Sequence, residues 1–582
     1  MSRIAARPAS HLLALHLQRW RGRVVAGLLL LILLVLVGRA VYLQGLRHDF
    51  LLRKGNAVVS RVLALPAHRG MITDRHGEPL AISTPMESLW ANPGSVNASP
   101  EQVRRLAKIL AMPVTALQTR LSAKGREFVY LKRQLPPDQA AAATQLGIPG
   151  LYLRREYRRY YPAADVTAHL LGFTNVDDAG LEGMELTYQD WLAGIPGSRR
   201  VIKDRRGNVV EDVESIQSPK RGRELVLSID MKIQYLAYRE LQNAVIAHKA
   251  KAAAIIVLDA ETGEILALAN LPSYNPNNRA GVKPWQMRNH AVTDTYEPGS
   301  TMKPFTVAAA LDAGTITPDS VIDTDDGSFV VGNKRIRDTH ANGVLSITQI
   351  VKKSSNVGAA KIALQLKPEY FWNELHQAGF GTAPRIGFPG AASGRLRPYQ
   401  NWRPIEQATM AYGHGIAVSL LQMARGYAVF ANSGMMKPVT LLKQDTAPDS
   451  GVQVFSPAAA NAVRAMMETV VSPEGTAPRA QVAGYRVAGK TGTAHKPMEG
   501  RYSANKYISS FIGMAPASRP RLIIAVMVDE PGAGQYYGGI VAAPVFSNVM
   551  SGALRILDVP PDNPTGNVVL PPAGSKTEEE ST

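Results

Sequence analysis

Ser300 and Lys303 are the side chains in this sequence best spaced for covalent chemistry. They stand in Glu297-Pro298-Gly299-Ser300-Thr301-Met302-Lys303-Pro304-Phe305. Residues at i and i+3 share one helix face, so a hydroxyl and an amine meet. Pro304 has no N–H and is tolerated only in a first turn, so the spacing predicts a helix beginning at about Ser300. The hydroxyl and its backbone N–H then sit at a helix N-terminus, where developing negative charge is favoured. A serine hydroxyl is a weak nucleophile until a base takes its proton. Lys303 can be that base when neutral, a form that burial and a second nearby cation both favour.

Lys490-Thr491-Gly492-Thr493-Ala494 supplies the second cation. It follows the alternating run Tyr485 to Ala488 and reads as a strand edge. Gly492 would let a substrate backbone approach closely. The Thr491 and Thr493 hydroxyls, with Lys490, form a carboxylate-binding set. The third piece is Ser354-Ser355-Asn356, on a loop or between helices. Ser354 is suited to relaying a proton and Asn356 to bonding a substrate amide. Each motif alone is weak: Ser503-Ala504-Asn505-Lys506 also fits Ser-x-x-Lys, and Ser95-Val96-Asn97 and Ser273-Tyr274-Asn275 also fit Ser-x-Asn. Discrimination comes from the order of the three motifs, the Pro-Gly lead-in, the helix after Ser300 and the strand before Lys490.

The elements that must position these residues read as α+β. Leu225 to Asp230 is a predicted strand, followed by an amphipathic helix from Met231 to His248. Ala252 to Leu258 and Ile265 to Asn270 are strands joined by a Gly-containing turn, an antiparallel hairpin. Helical stretches follow to Gly434. Strands return at Tyr485 to Ala488, Tyr507 to Met514 and Leu522 to Val528, giving an antiparallel sheet with helices inserted between its early and late strands. Before Leu225, the region 47–220 alternates short strands and turns, with a helical stretch from Glu101 to Leu121 broken near Pro113. Gly197 to Arg223 reads as solvated loops or an extended hairpin.

Residues 1–23 carry five arginines and no acid, and the apolar run Val24 to Leu43 is interrupted only by Arg39. Twenty helical residues just cross ~30 Å of hydrocarbon. The flanking arginines predict a cytoplasmic amino terminus and an extracytoplasmic bulk. With 582 residues, a net charge of +18 and no cysteine, the chain has several folded units and no disulfide, zinc thiolate or cysteine nucleophile. The basic residues are interspersed with acids and no nucleic-acid motif appears, so nucleic acid is not an expected partner.

Gly484-Tyr485-Arg486-Val487-Ala488-Gly489-Lys490-Thr491 also fits the phosphate-binding loop of nucleotide hydrolases. That loop needs a helix after it. Gly492 and Pro497 break any helix there, and the predicted topology keeps the segment away from ATP.

Ser-x-x-Lys, Ser-x-Asn and Lys-Thr-Gly in this order are the signature of penicillin-binding proteins and serine β-lactamases. Over nearly its whole length the sequence resembles the class B penicillin-binding proteins, and among them the division-specific peptidoglycan transpeptidases. Supporting stretches are Arg69 to Ala81, Tyr160-Tyr161-Pro162 with His169, Gly180 to Glu185, Tyr412-Gly413-His414-Gly415, and Tyr537-Gly538-Gly539 followed by Ala542 to Phe546. Ser355 stands where many β-lactamases carry Asp, which favours the transpeptidase branch.

The resemblance implies a cytoplasmic tail (1–23), a transmembrane anchor (24–43) and an elongated mixed pedestal of dimerisation type (44–220). A penicillin-binding domain (221–558) follows, with a five-stranded antiparallel sheet flanked by helices and an all-helical subdomain, and then a disordered tail (559–582). It implies that Ser300 attacks the penultimate D-alanine carbonyl of a stem pentapeptide, with Lys303, Ser354, Asn356 and Lys490 catalytic. Ser355, Thr491, Gly492 and Thr493 would bind substrate, and the Ser300 and Thr493 N–H groups would form the oxyanion hole. β-Lactams would acylate Ser300, and no metal or organic cofactor is implied. Expected partners are the inner membrane, other division proteins and a polytopic glycosyltransferase of the SEDS type, FtsW-like. An elongation-type transpeptidase and a catalytically idle β-lactam sensor or scaffold are the alternatives.

Overall fold

The computed structural model describes residues 19–51, 60–123, 125–203, 209–448, 450–498, 501–565 and 567–570. The expected tail residues 1–18 and 571–582 lie outside the described residues. Helix α1 (Arg19–Val41) buries none of its residues against the rest of the chain, and the stretch Arg19–Leu46 is long and apolar enough to cross a membrane. The helix already includes Arg19, five residues before the expected anchor, because arginine is a good helix former and the backbone ladder does not stop at the apolar boundary. At its far end it passes into a π-helical turn, Tyr42–Leu46.

The next part holds two sheets. Strands β1 (Ser60–Leu65), β6 (Gly197–Lys203) and β7 (Val209–Gln217) make an antiparallel ribbon in the order β1-β6-β7, as the hairpin reading of 197–223 predicted. Strands β2 (Ile72–Thr73), β3 (Pro79–Ala91), β4 (Val129–Leu135), β5 (Leu151–Tyr160) and β8 (Leu225–Val226) form the second sheet. Helices α2 (Pro100–Ile109), α3 (Val114–Leu121) and α4 (Pro137–Thr144) cover one of its faces, burying Leu106, Leu117 and Ala140 against Leu89 and Leu131. Helix α2 starts at a capping box, in which Ser99 accepts from the Gln102 N–H. The helical run breaks near Pro113 as expected: α2 ends at Ile109, and Pro113 is the N-cap of α3. Arg69 is fully buried and bonds Glu185, which also receives Arg159.

The predicted strand at 225–230 is only two residues long and pairs in parallel with β2. Leu227 bridges Leu442 instead, and Asp230 leaves the extended run to cap α5 (Met231–His248) through the Lys232 and Ile233 N–H groups.

The second unit is built on five antiparallel strands in the order β10-β9-β13-β12-β11: β9 (Ala252–Asp259), β10 (Ile265–Leu271), β11 (Ala488–Met498), β12 (Arg501–Ala515) and β13 (Leu522–Asp529). Helices α5 and α9 (Ala543–Ile556) pack together over it. Between β10 and β11 the longer regular elements are helices, as predicted, with three short two-stranded sheets among the described residues. Strand β11 begins at Ala488 rather than ending there. Its Lys490, Thr491 and Thr493 are buried on polar partners, so no apolar alternation marks it. A strand after Lys490-Thr491 also rules out the helix that a phosphate loop requires.

A disordered tail is expected from residue 559 onward. Residues 559–565 and 567–570 are instead seated on the domain. The Val559 carbonyl accepts from the Tyr485 hydroxyl at 2.6 Å, Asp562 accepts from the Arg486 N–H at 2.7 Å, and Val569 exchanges hydrogen bonds with Gln481.

Candidate active site

Gly299, at φ +59°, opens a tight 3₁₀ turn, Gly299–Met302. Helix α6 (Lys303–Asp312) begins only after it, so Ser300 precedes the α-helix instead of starting it. Side chains three apart eclipse in a 3₁₀ turn, and this carries Lys303 onto the serine: Lys303 Nζ donates to Ser300 Oγ at 2.9 Å. Both residues are buried. The turn is locked from several sides. Thr301 Oγ1 donates to the Pro298 carbonyl and the Tyr427 hydroxyl to the Thr301 carbonyl, each at 2.8 Å. Gly413 lies against the Gly299 peptide so tightly that a Cβ on it would stand 2.2 Å from the Gly299 oxygen.

Ser354 joins α7 (Ile347–Lys353) to α8 (Asn356–Ala363) in the left-handed conformation, φ +61°. That bend aims both of its oxygens at Lys303. Nζ donates to Ser354 Oγ at 3.0 Å and also to the Ser354 carbonyl. One amine thus joins two hydroxyls in a buried pocket. The neighbouring residues depart from expectation. Ser355 caps α8, accepting from the Gly358 N–H at 2.9 Å and donating to Asp338 at 2.5 Å. It therefore holds the start of the helix. Asp338 also accepts from the Asn356 and Val357 N–H groups at 2.6 and 3.0 Å. Asn356 Nδ2 reaches the Arg337 carbonyl at 3.3 Å.

Strand β11 forms the outer edge of the sheet and packs on the serine turn. Lys490 is fully buried, its Nζ 3.1 Å from Thr491 Oγ1. The threonine hydroxyls point to internal partners: Thr491 Oγ1 lies 3.0 Å from Thr476 Oγ1, and Thr493 Oγ1 accepts from the Gly538 N–H at 3.0 Å. Gly492 differs from its expected role. A Cβ there would meet the Pro298 oxygen at 2.8 Å and Thr301 Cγ2 at 2.9 Å. The missing side chain makes room for the turn that bears Ser300.

Sequence reasoning missed Glu297, Asp338, His414 and Tyr502 as site residues. Glu297 accepts from the Gly415 N–H and from the Tyr502 hydroxyl, each at 2.9 Å, tying the 413–415 loop and the β11–β12 hairpin to the serine turn. Burial, and then the Glu297 carboxylate, push the Tyr502 hydroxyl up to about 12. Burial holds His414 below the ordinary imidazole range; Lys303 and His495 add to that and Glu297 opposes it. Tyr412 to Gly415 was visible as a motif, but nothing local assigned it a contact. Among the described residues no cluster of three or more His, Asp or Glu could hold a metal ion.

A buried serine, a lysine bridging it to a second serine and a polar strand edge beside them suit acyl transfer through a serine ester. The sequence matches the family Penicillin binding protein transpeptidase domain over residues 253–551 and the family Penicillin-binding Protein dimerisation domain over residues 64–227. It is 43% identical to "Peptidoglycan D,D-transpeptidase FtsI" of Escherichia coli K12, across 93% of each chain. It is 44% identical to "Probable peptidoglycan D,D-transpeptidase PenA" of Neisseria meningitidis, across 91% of each. The transpeptidase domain of Burkholderia pseudomallei penicillin-binding protein 3 superposes with a TM-score of 0.54 at 50% identity, covering 58% of this chain and 97% of that one.

Proposed function

The chain belongs to the penicillin-binding proteins, carrying both their dimerisation and their transpeptidase domains, and from that premise we propose that it is a peptidoglycan D,D-transpeptidase of septal wall synthesis. The observation that carries the reading is the Lys303 amine lying 2.9 Å from Ser300 Oγ and 3.0 Å from Ser354 Oγ. Neutral Lys303 takes the Ser300 proton as Oγ attacks the carbonyl of the penultimate D-alanine in a stem peptide. Ser354 passes a proton to the departing D-alanine amine, and Ser300 keeps the acyl group. The amine of a second stem then attacks the ester, forming the cross-link and freeing Ser300. Backbone N–H groups of Ser300 and Thr493 stabilise the oxyanion, an effect worth ~2.7–4 kcal/mol per donor. Lys490 and the threonines beside it hold the substrate carboxylate, and Asn356 its amide. A β-lactam enters the same path and stalls as the ester.

The apolar helix at Arg19–Val41, preceded by arginines, supports an inner-membrane anchor with the catalytic domain in the periplasm. Glycan polymerisation comes from a polytopic FtsW-like partner within the division machinery. The test is mass spectrometry of the whole protein after penicillin treatment, with peptide mapping. One adduct on Ser300 is expected, absent in Ser300→Ala with an unchanged melting temperature. An adduct on any other residue overturns the assignment.

A further inference from the structure

The end of the membrane helix carries an arrangement that the transpeptidase reading does not use. Arg39 and Tyr42, three apart, share a helix face. In a continued α-helix Arg47, five residues beyond Tyr42, would lie ~140° round the axis and face away. The π-helical turn Tyr42–Leu46 narrows that offset. Its closing hydrogen bond runs from the Arg47 N–H to the Tyr42 carbonyl, 3.0 Å, and the wider turn brings the two residues towards one side of the helix. Both guanidiniums therefore flank one ring, Arg39 at 5.5 Å and Arg47 at 5.2 Å from the Tyr42 centroid, and Arg47 is also 5.8 Å from Phe50.

The position along the helix makes this pair consequential. Counted from Val24, ~30 Å of hydrocarbon ends near Leu43, so Arg39 leaves the helix inside that boundary and Arg47 just beyond it. Among the described residues no carboxylate lies within ion-pair distance of either guanidinium, and the first acidic residue of the chain is Asp49. A cation at this depth is costly unless an anion meets it. The anion available there is a phosphodiester in the headgroup layer. Guanidinium donors fit its oxygens in pairs, and the tyrosine ring keeps both forks on one side of the helix.

We propose that Arg39, Tyr42 and Arg47 form a binding site for the phosphate of an anionic lipid at the end of the membrane helix nearest the folded domains. The π turn exists to close it.

The test uses the full chain in detergent and native mass spectrometry with added phosphatidylglycerol or phosphatidylcholine. The wild-type protein should retain one phosphatidylglycerol in preference to phosphatidylcholine, whose choline brings a third cation to the site. Arg39→Gln with Arg47→Gln should weaken retention about tenfold, while Arg21→Gln, at the other end of the helix, should leave it unchanged. Fluorescent penicillin labelling of Ser300 reports that each variant is folded and separates this proposal from the catalytic one. Equal retention by the double variant overturns the site, as does an equal loss in Arg21→Gln. Displacement of the lipid by millimolar inorganic phosphate overturns the lipid assignment in favour of a free-anion site.

Discussion

Gly492→Ala separates two accounts of the Lys-Thr-Gly strand. If the glycine makes room for substrate, the added methyl leaves the free protein undisturbed and impairs only turnover. The contacts predict otherwise. The methyl would lie 2.5 Å from Ser510 Oγ, which can rotate away, but also 2.8 Å from the Pro298 carbonyl, which cannot. That carbonyl accepts from Thr301 Oγ1 and belongs to the lead-in of the serine turn. The turn must recede by a few tenths of an ångström. Overpacking of this kind costs about 1–3 kcal/mol, and over the roughly 300 residues of the domain, 2 kcal/mol corresponds to a melting-temperature fall of about 3 °C. Since a misplacement of ~1 Å can cost about a hundredfold in rate, a smaller shift of Ser300 should slow acylation about tenfold. Stopped-flow acylation with a fluorescent penicillin and a thermal melt measure both. Wild-type acylation and melting with reduced cross-linking of a stem-peptide substrate would refute the packing account and restore the substrate one.

Asp338→Ala should release Ser355 and the N–H groups of Asn356 and Val357 together. Hydrogen bonds to a carboxylate are individually worth about 1.5–3 kcal/mol, and partial exposure of Asp338 places the loss near 2 kcal/mol. Acylation should fall about tenfold as Ser354 loses its fixed bend, a rate that stopped-flow labelling reads directly. Acid should destabilise the protein through His169, which burial lowers to about 4. The unfolded imidazole takes up a proton below ~6.5 while the folded one resists it, so stability falls as pH drops from 6.5 towards 4. At pH 5 that amounts to about 2 kcal/mol. Thermal melts of wild type and His169→Gln should converge in slope above pH 7 and diverge below 6.

The pairing of Ser300 with Lys303 was readable because its constraint is local. Lys303 follows Ser300 by three positions, and Pro304 limits where the helix can start. Ser354 was readable from its motif, though its left-handed bend was not. The cap that Ser355 forms with Asp338 and the packing of Gly492 on the Pro298 carbonyl were not readable, because both are tertiary facts that no window of sequence contains. Glu297 lies inside the central motif yet stayed silent, since its partners, Gly415 and Tyr502, are 118 and 205 residues away. The large sheet followed from its apolar strands. Strand β11 was misjudged at its ends because a strand that buries lysine and threonine on polar partners shows no hydrophobic period.

The seating of residues 559–570 changes what a cut near the carboxyl terminus would mean. Tyr485, Arg486 and Gln481, which receive that segment, form the approach to β11, and Lys490 follows Arg486 by four positions. A protease that nicked the chain just after Asp558 would remove the brace from the strand that flanks the nucleophile. Trimming there becomes a means of disarming the enzyme while leaving every motif residue in the chain.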